Sequence, residues 1–271
     1  MRVALLRGRE HPELGAVQAV AEHGVAIALS RGGAAKRYPH RDPNEDAAGF
    51  ARGREGACIA VADGHGGAEA AEIALLNLLG EPAEQWTEEP GPLDEKSWRR
   101  QALAALSDAN RDVRRERGRR PGRGARTTLG LAVVLPARGL LLSAAVGDSH
   151  LFVADAAGVR ELAPAGAKFG FLGDAYETPA DLAEITRLTS ASLAGLRAVV
   201  LVTDGLSERG IGVVSPAAAV AEAVRLAEQE PCAAPGLVAA RAITETALEA
   251  HRRNRSGDNV AVAVLWVSTA P

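Results

Sequence analysis

Apolar and polar positions along this chain alternate between two kinds of run. Near-continuous apolar stretches recur at 57–62, 129–135, 198–202 and 260–267, each the length of a strand and each bounded by polar or glycine-containing segments, the pattern of strands buried in a core. Further strands are predicted at 1–6, 24–30, 139–146, 150–154, 159–162 and 183–188. The connections 136–139 and 155–158 have hairpin length, so the stretch from 129 to 162 predicts an antiparallel meander. Helical spacing marks 68–79, with Glu69, Glu72 and Asn77 on its polar side, and 98–117, with Trp98, Leu103, Leu106 and Val113 along one face. Two more helices are predicted at 216–228 and 236–251, the first opened by Ser215 as N-cap with Pro216 at the first helical position. The segments 30–45, with Gly32, Gly33, Pro39 and Pro43, and 166–179 predict loops; the proline- and glutamate-rich 81–92 predicts a surface connection.

Composition narrows the class. The chain has 271 residues, 47% hydrophobic and 24% charged, enough to bury a large core within one compact domain over 1–271. A net charge of −3 provides no global field for nucleic acid or anionic membrane. Two distant cysteines, Cys58 and Cys232, form no CxxC and fit the thiols of a reducing compartment. With no long charge-free apolar stretch, and with Arg2, Arg7 and Arg9 interrupting the N-terminal apolar run, a soluble cytoplasmic protein is expected. Only Lys36, Lys96 and Lys168 are lysines among many arginines, which reads as genomic bias. Eight arginines between Arg111 and Arg126, running into a glycine-rich linker expected to be mobile, make either a docking patch for an acidic partner or, more commonly, a solvated helix end.

The candidate chemistry lies where strands end. Asp63 closes the apolar run 57–62 and enters Gly64-His65-Gly66-Gly67, whose glycines allow a sharp turn and close approach of a ligand. Glu45 and Asp46 open one strand, Asp204 follows another, Asp258 precedes the last, and Asp148 sits in a turn between strands. Single carboxylates at strand ends are ordinary. A set of them, most with glycine alongside, suggests a shared cation site at one edge of the core, and oxygen donors without a His/Cys cluster favour Mg²⁺ or Mn²⁺. Crowded like charges require more than one ion.

Taken together, Arg41-x-x-Asn44-Glu45-Asp46, Asp63-Gly64-His65-Gly66-Gly67, Thr127-Thr128, Gly147-Asp148-Ser149, Thr203-Asp204-Gly205 and Gly257-Asp258-Asn259 resemble, in order and approximate spacing, the motifs of PP2C-type (PPM) metal-dependent serine/threonine protein phosphatases. Each motif alone is weak; six in order, spanning 41–267, are specific. The resemblance implies an α+β fold, a four-layer αββα sandwich of two central antiparallel β-sheets flanked by helices. It implies two Mn²⁺ or Mg²⁺ ions, with Asp63 bridging them and catalytic, the Gly64 carbonyl on one, and Asp204 and Asp258 on the other. Glu45 and Asp46 would act through water, and Asp148 with Asp204 would hold a weaker third ion. Arg41 would grip the substrate phosphate, His65 would protonate the leaving alcohol, Asn259 would contact substrate, and a hydroxide between the ions would attack phosphorus. The implied partners are phosphorylated proteins made by a serine/threonine kinase, met by a monomer in bacterial-type signalling, with no nucleic acid and no membrane involved.

Three features depart from the family pattern and bear on substrate choice. Arg126 stands before Thr127-Thr128 where glycine is usual, His150 follows Gly-Asp-Ser where arginine is frequent, and the segment between Leu162 and Leu201 is short where relatives carry a longer flap. Other phosphatase chemistries fit less well: no Gly-Asn-His-Glu accompanies Gly147-Asp148-Ser149-His150, no Cys-x5-Arg is present, and no GxxxxGK[ST] exists. A pseudophosphatase that binds phosphoproteins without turnover is the alternative; loss of metal acids would mark it, and none is lost.

Overall fold

The computed structural model describes residues 1–89, 91, 93–119, 124–162, 167–230 and 234–267. Cys232, Gly166, Pro90, Pro92 and the 120–123 part of the arginine–glycine linker lie outside them. In chain order the elements are β1 (Arg2–Arg7), β2 (Gln18–Glu22), β3 (Val25–Ser30), β4 (Ala47–Arg52), β5 (Ala57–Ala62), β6 (Gly64–His65), α1 (Glu69–Leu78), α2 (Glu81–Thr87), α3 (Glu95–Arg119), β7 (Arg126–Thr127), β8 (Leu129–Leu135), β9 (Leu140–Val146), β10 (His150–Asp155), β11 (Gly158–Glu161), α4 (Pro179–Ile185), β12 (Thr186–Ser192), β13 (Leu196–Val202), α5 (Pro216–Gln229), α6 (Pro235–Asn254) and β14 (Val260–Trp266).

Two antiparallel six-stranded sheets, ordered β1-β4-β5-β8-β9-β12 and β11-β10-β13-β14-β3-β2, pack face to face. Helices α1 to α4 cover the first sheet, and α5 and α6 the second, giving the αββα sandwich. The apolar runs are near-continuous because alternate residues serve two different cores. In β5, Ile59 and Val61 enter the core between the sheets while Cys58, Ala60 and Ala62 face the helices. In β14, Ala261, Ala263 and Leu265 point to the middle, and Val260, Val262 and Val264 pack under α5 and α6. Desolvation in such surroundings pushes the Cys58 thiol pKa well up, so this cysteine packs as a small apolar group.

Several expectations need correction. The stretch 129–162 is not one meander: β8 and β9 form a hairpin in one sheet, β10 and β11 in the other, and the chain changes sheet at Gly147-Asp148-Ser149. The residues expected as a strand at 183–188 begin in α4, whose N-cap Thr178 and Asp181 form a reciprocal capping box, and become β12 only from Thr186. β2 and most of β12 are polar edge strands, without the apolar run that marks the central ones. Ser215 does occupy the N-cap of α5, but its side chain makes no capping hydrogen bond. Glu72, expected on the polar side of α1, is buried and paired with Arg9, with Arg7 nearby.

The supposed connection 81–92 contains α2. Pro82 lies in its first turn, where no amide hydrogen is required. Trp86 is buried edge-on to Trp98 at 5.2 Å and donates its indole N–H to Gln101 Oε1 at 3.1 Å. This pair ties α2 to α3, so Trp86→Ala is expected to destabilise the fold by about 3–5 kcal/mol in denaturant melts, whereas a mere surface connection would tolerate it with little loss.

Candidate metal centre

Strand register brings the acids together. Ala47 pairs with Ala62, so Asp46 and Asp63 emerge at the same end of the first sheet. Val202 pairs with Val262 in the second sheet, which sets Asp204 beside Asp258 at that same end. All four are largely shielded by protein. Burial raises the pKa of Asp63 well above the carboxylate range, and Asp46, Asp204 and Asp258 raise it further, against Lys36. Burial likewise drives Asp204 up, with Asp258, Asp148 and Asp46 adding to it. For Asp46, burial outweighs the ammonium of Lys36 and hydrogen bonds from Thr203 and Asp63, and its pKa stands at about 7. Asp148 is exposed at the rim.

The motif residues around these acids act largely through the main chain. Thr127 Oγ1 donates to the Asp63 carbonyl at 2.8 Å, and the Asp63 N–H donates to Thr128 Oγ1 at 3.2 Å. Thr203 Oγ1 donates to Asp46 Oδ2 at 2.8 Å and accepts the Ala261 N–H at 2.9 Å. Glu45 Oε1 accepts the N–H groups of Arg41 and Asp42, at 3.0 and 3.2 Å, fixing the loop that presents Arg41. Gly64 opens the short β6, where any side chain would collide with the Glu45 carbonyl. Buried His251 accepts the Gly33 N–H at Nδ1, at 3.2 Å, and donates from Nε2 to the Gly205 carbonyl at 2.8 Å, pinning the Asp204 loop. His251 is therefore structural.

Asn259 departs from the expected substrate role. It is buried, its Oδ1 accepts the Glu45 N–H at 2.8 Å, and its Nδ2 donates to the carbonyls of Arg31 and Pro43 at 3.1 and 3.0 Å. These bonds make it a clamp between β14 and the acidic loop.

His65 stands at the edge of the cluster with its side chain 42% exposed and Nδ1 3.5 Å from Asp63 Oδ2. Positive φ at Gly66 (77°) and Gly67 (133°) forms the turn that follows it. Burial of the ring lowers its pKa; the main chain of Asp63 opposes this and the Arg126 cation adds to it. Arg41 lies beside Gly67, its Nη2 3.4 Å from Glu69 Oε1. His150 is engaged elsewhere, with Ser207 Oγ at 2.6 Å and Glu161 Oε1 at 2.7 Å.

All of this constellation except His251, Asp258 and Asn259 lies inside the span matched by the protein phosphatase 2C family model, residues 35–239. The chain belongs to the protein phosphatase 2C family. Its fold is similar to that of a bacterial serine phosphatase variant (TM-score 0.68, 16% identity, 91% of this chain and 98% of that one). It is likewise similar to serine/threonine phosphatase PstP of Mycobacterium tuberculosis (0.62, 20%, 92% and 97%). A serine-threonine phosphatase 2C from Toxoplasma gondii gives 0.63 at 18% identity, over 98% and 99%. No curated protein matches the chain.

Protein phosphatase 2C enzymes are metal-dependent, and the donor set here fits a hard divalent cation: oxygen only, buried, and carrying more negative charge than it can hold uncompensated. Among the described residues, no three His, Cys, Asp or Glu side chains stand ready to hold one ion. The acids gather without closing into a coordination shell, and some of their oxygens already have partners. Asp46 is bonded to Thr203; Asp258 accepts a short hydrogen bond from Tyr38, and Lys36 Nζ lies 3.4 Å from its Oδ1 with the lysine side chain only 4% exposed. Neither Lys36 nor Tyr38 is evident from a motif. The rarity of lysine in this chain, with one placed just upstream of the acidic loop, was the available signal.

The carboxylate shifts fix how metal-free stability depends on pH. Asp46, Asp63 and Asp204 hold protons in the folded state that they lose in the unfolded chain, so their stabilisation is full below the ordinary carboxylate range and is lost as pH rises toward the folded values, about 7 for Asp46. In chelator, the melting temperature is therefore expected to fall from pH 5 to pH 8, Lys36→Met is expected to deepen that fall, and Mn²⁺ is expected to restore the loss. A melting temperature that rises with pH in chelator would contradict the electrostatic account.

Proposed function

We propose that this protein hydrolyses phosphoserine and phosphothreonine esters in proteins. The observation that carries the reading is the joint burial of Asp46, Asp63, Asp204 and Asp258 beside a partly exposed His65. Family membership and the likeness to serine/threonine phosphatases support it. Asp63, Asp204 and Asp258 would hold two ions, Mn²⁺ or Mg²⁺, with the Gly64 carbonyl as a further ligand, Glu45 and Asp46 acting through water, and Asp148 serving a weaker third site. When bound, the ions supply Lewis acidity that activates water toward phosphorus and offsets charge on the phosphoryl oxygens.

The remaining work falls to the chain. Arg41 presents a fork of N–H donors beside the His65-Gly66-Gly67 turn and binds phosphate oxygens there. His65 delivers its proton to the ester oxygen as the P–O bond breaks, so that the side chain leaves as an alcohol. Asp63 at 3.5 Å and the ring of Phe171, at a centroid distance of 4.8 Å, hold the imidazole in place. The substrates would be products of a serine/threonine kinase, met in the cytoplasm by a monomer. A binding-only pseudophosphatase has no support, since every motif acid is present.

Phosphate release from a phosphothreonine peptide in Mn²⁺ is expected to be abolished by chelation and reduced about 100-fold or more by Asp204→Asn. Equal rates for variant and wild type would defeat the assignment of Asp204. His65→Ala is expected to lose about 10²–10⁴-fold on the peptide and far less on p-nitrophenyl phosphate, whose leaving group needs no proton. Equal losses on both substrates would remove His65 from the role of proton donor.

A further inference from the structure

Arg126 fills a position where the family motif usually has glycine, and the fold gives it a defined place. It lies on β7 directly opposite His65 on β6, so the two side chains share one face of that ribbon. Phe171 packs against both: its ring centroid is 4.8 Å from that of His65, and the Arg126 guanidinium carbon lies 4.0 Å from the Phe171 centroid. Phe169 meets Phe171 edge-on at 5.0 Å and is itself 60% exposed, forming a ledge that is open to solvent. A guanidinium over an aromatic face keeps its in-plane N–H donors for other partners. Among the described residues, no carboxylate forms an ion pair with Arg126.

Two further guanidiniums frame the same turn. Arg41 lies beside Gly67, and Arg117 donates to the Gly173 carbonyl at 3.1 Å while backing Gly124, which neighbours Gly66. Acidic groups on this side are Glu69 near Arg41, Asp42 capping α1, Asp174 at 4.0 Å from Arg117, and Glu116 on α3. Arg126 itself faces His65, whose Nδ1 lies 3.5 Å from Asp63 Oδ2.

We propose that Arg126, seated on Phe171, is a specificity-determining residue that binds a second oxyanion on the substrate, so that the preferred substrates are phosphopeptides with an acidic group flanking the phosphorylated residue. That group is an aspartate or glutamate carboxylate or a second phosphate, both of which match the planar donor fork. The inference rests on the phosphatase reading of the same site.

The test compares kcat/KM in Mn²⁺ for phosphothreonine peptides that differ only in the flanking residue: Glu, Gln, Lys or a second phosphothreonine. Wild-type protein is expected to favour the Glu or doubly phosphorylated peptide over the Lys peptide by about tenfold or more, with the preference shrinking as salt is raised. Arg126→Ala is expected to compress that ratio to about twofold, and Arg126→Lys to retain part of it. Each ratio is internal to one preparation, so a partly misfolded variant does not distort it. The Glu and doubly phosphorylated arms identify which oxyanion is read. A wild-type enzyme that hydrolyses all four peptides equally, or an Arg126→Ala variant with an unchanged ratio, overturns the inference while leaving the phosphatase reading intact. Absence of metal-dependent turnover on every peptide overturns both.

Discussion

Mutual repulsion among buried carboxylates is the constraint on which the rest of this structure depends. Asp46, Asp63, Asp204 and Asp258 come from strands of both sheets and meet at one end of the sandwich, where burial and neighbouring charge disfavour ionisation of Asp46, Asp63 and Asp204. Such a cluster persists only because the sandwich around it is rigid and well packed. Its central strands are buried on both faces, and their register fixes where each acid emerges. A divalent ion would supply the compensation that bound protons supply without it, so cation binding and folding stability are linked.

The same end of the fold shows how that geometry is held. Little of the support comes from side chain to side chain contact. Thr127, Thr128, Asn259 and His251 instead bond to main-chain groups of the acid-bearing loops, satisfying N–H and C=O groups that would otherwise be buried without partners. Gly205 belongs to this scheme: a side chain there would be driven into the carbonyl of Asn259, so glycine lets the Asp204 and Asp258 loops approach main chain to main chain. The sequence motifs around the acids are therefore conformational motifs, and threonines beside the acids set where their loops run.

This division explains what could be read from the sequence. Central strands were legible because a strand serving two cores is apolar at nearly every position, and the acids at their ends stood out against that background. The edge strands β2 and β12 lack the signal because one face meets solvent. The change of sheet between β9 and β10 was hidden because a hairpin-length turn looks the same whether or not the next strand joins the same sheet. Helix α2 was obscured by proline and glutamate, residues that a helix accepts in its first turn. Glu72 misled for a related reason: a charge on a helix is assigned to solvent unless its cation is known, and Arg9 comes from a segment 63 residues earlier in the chain.

The cations of the site divide into two kinds, and the distinction is physical. Lys36 places a compact ammonium among the acids, held near Asp258 and over the ring of Tyr38, where a small charge with rotatable donors suits a crowded cluster of oxygens. Asp258 in turn drives the Tyr38 phenol, already raised by burial, further up, so Tyr38 acts as a hydrogen-bond donor across the physiological range. Arg41, Arg117 and Arg126 surround the turn outside the cluster, where flat guanidiniums can meet the planar or tetrahedral oxyanions of an incoming chain. An arginine at 36 would bring a wider, planar fork into a space that a point charge already fills, and a lysine at 126 would lose the face that rests on Phe171. A chain so sparing of lysine thus uses one where charge must be small and buried, and uses arginine where charge must be directional and reachable.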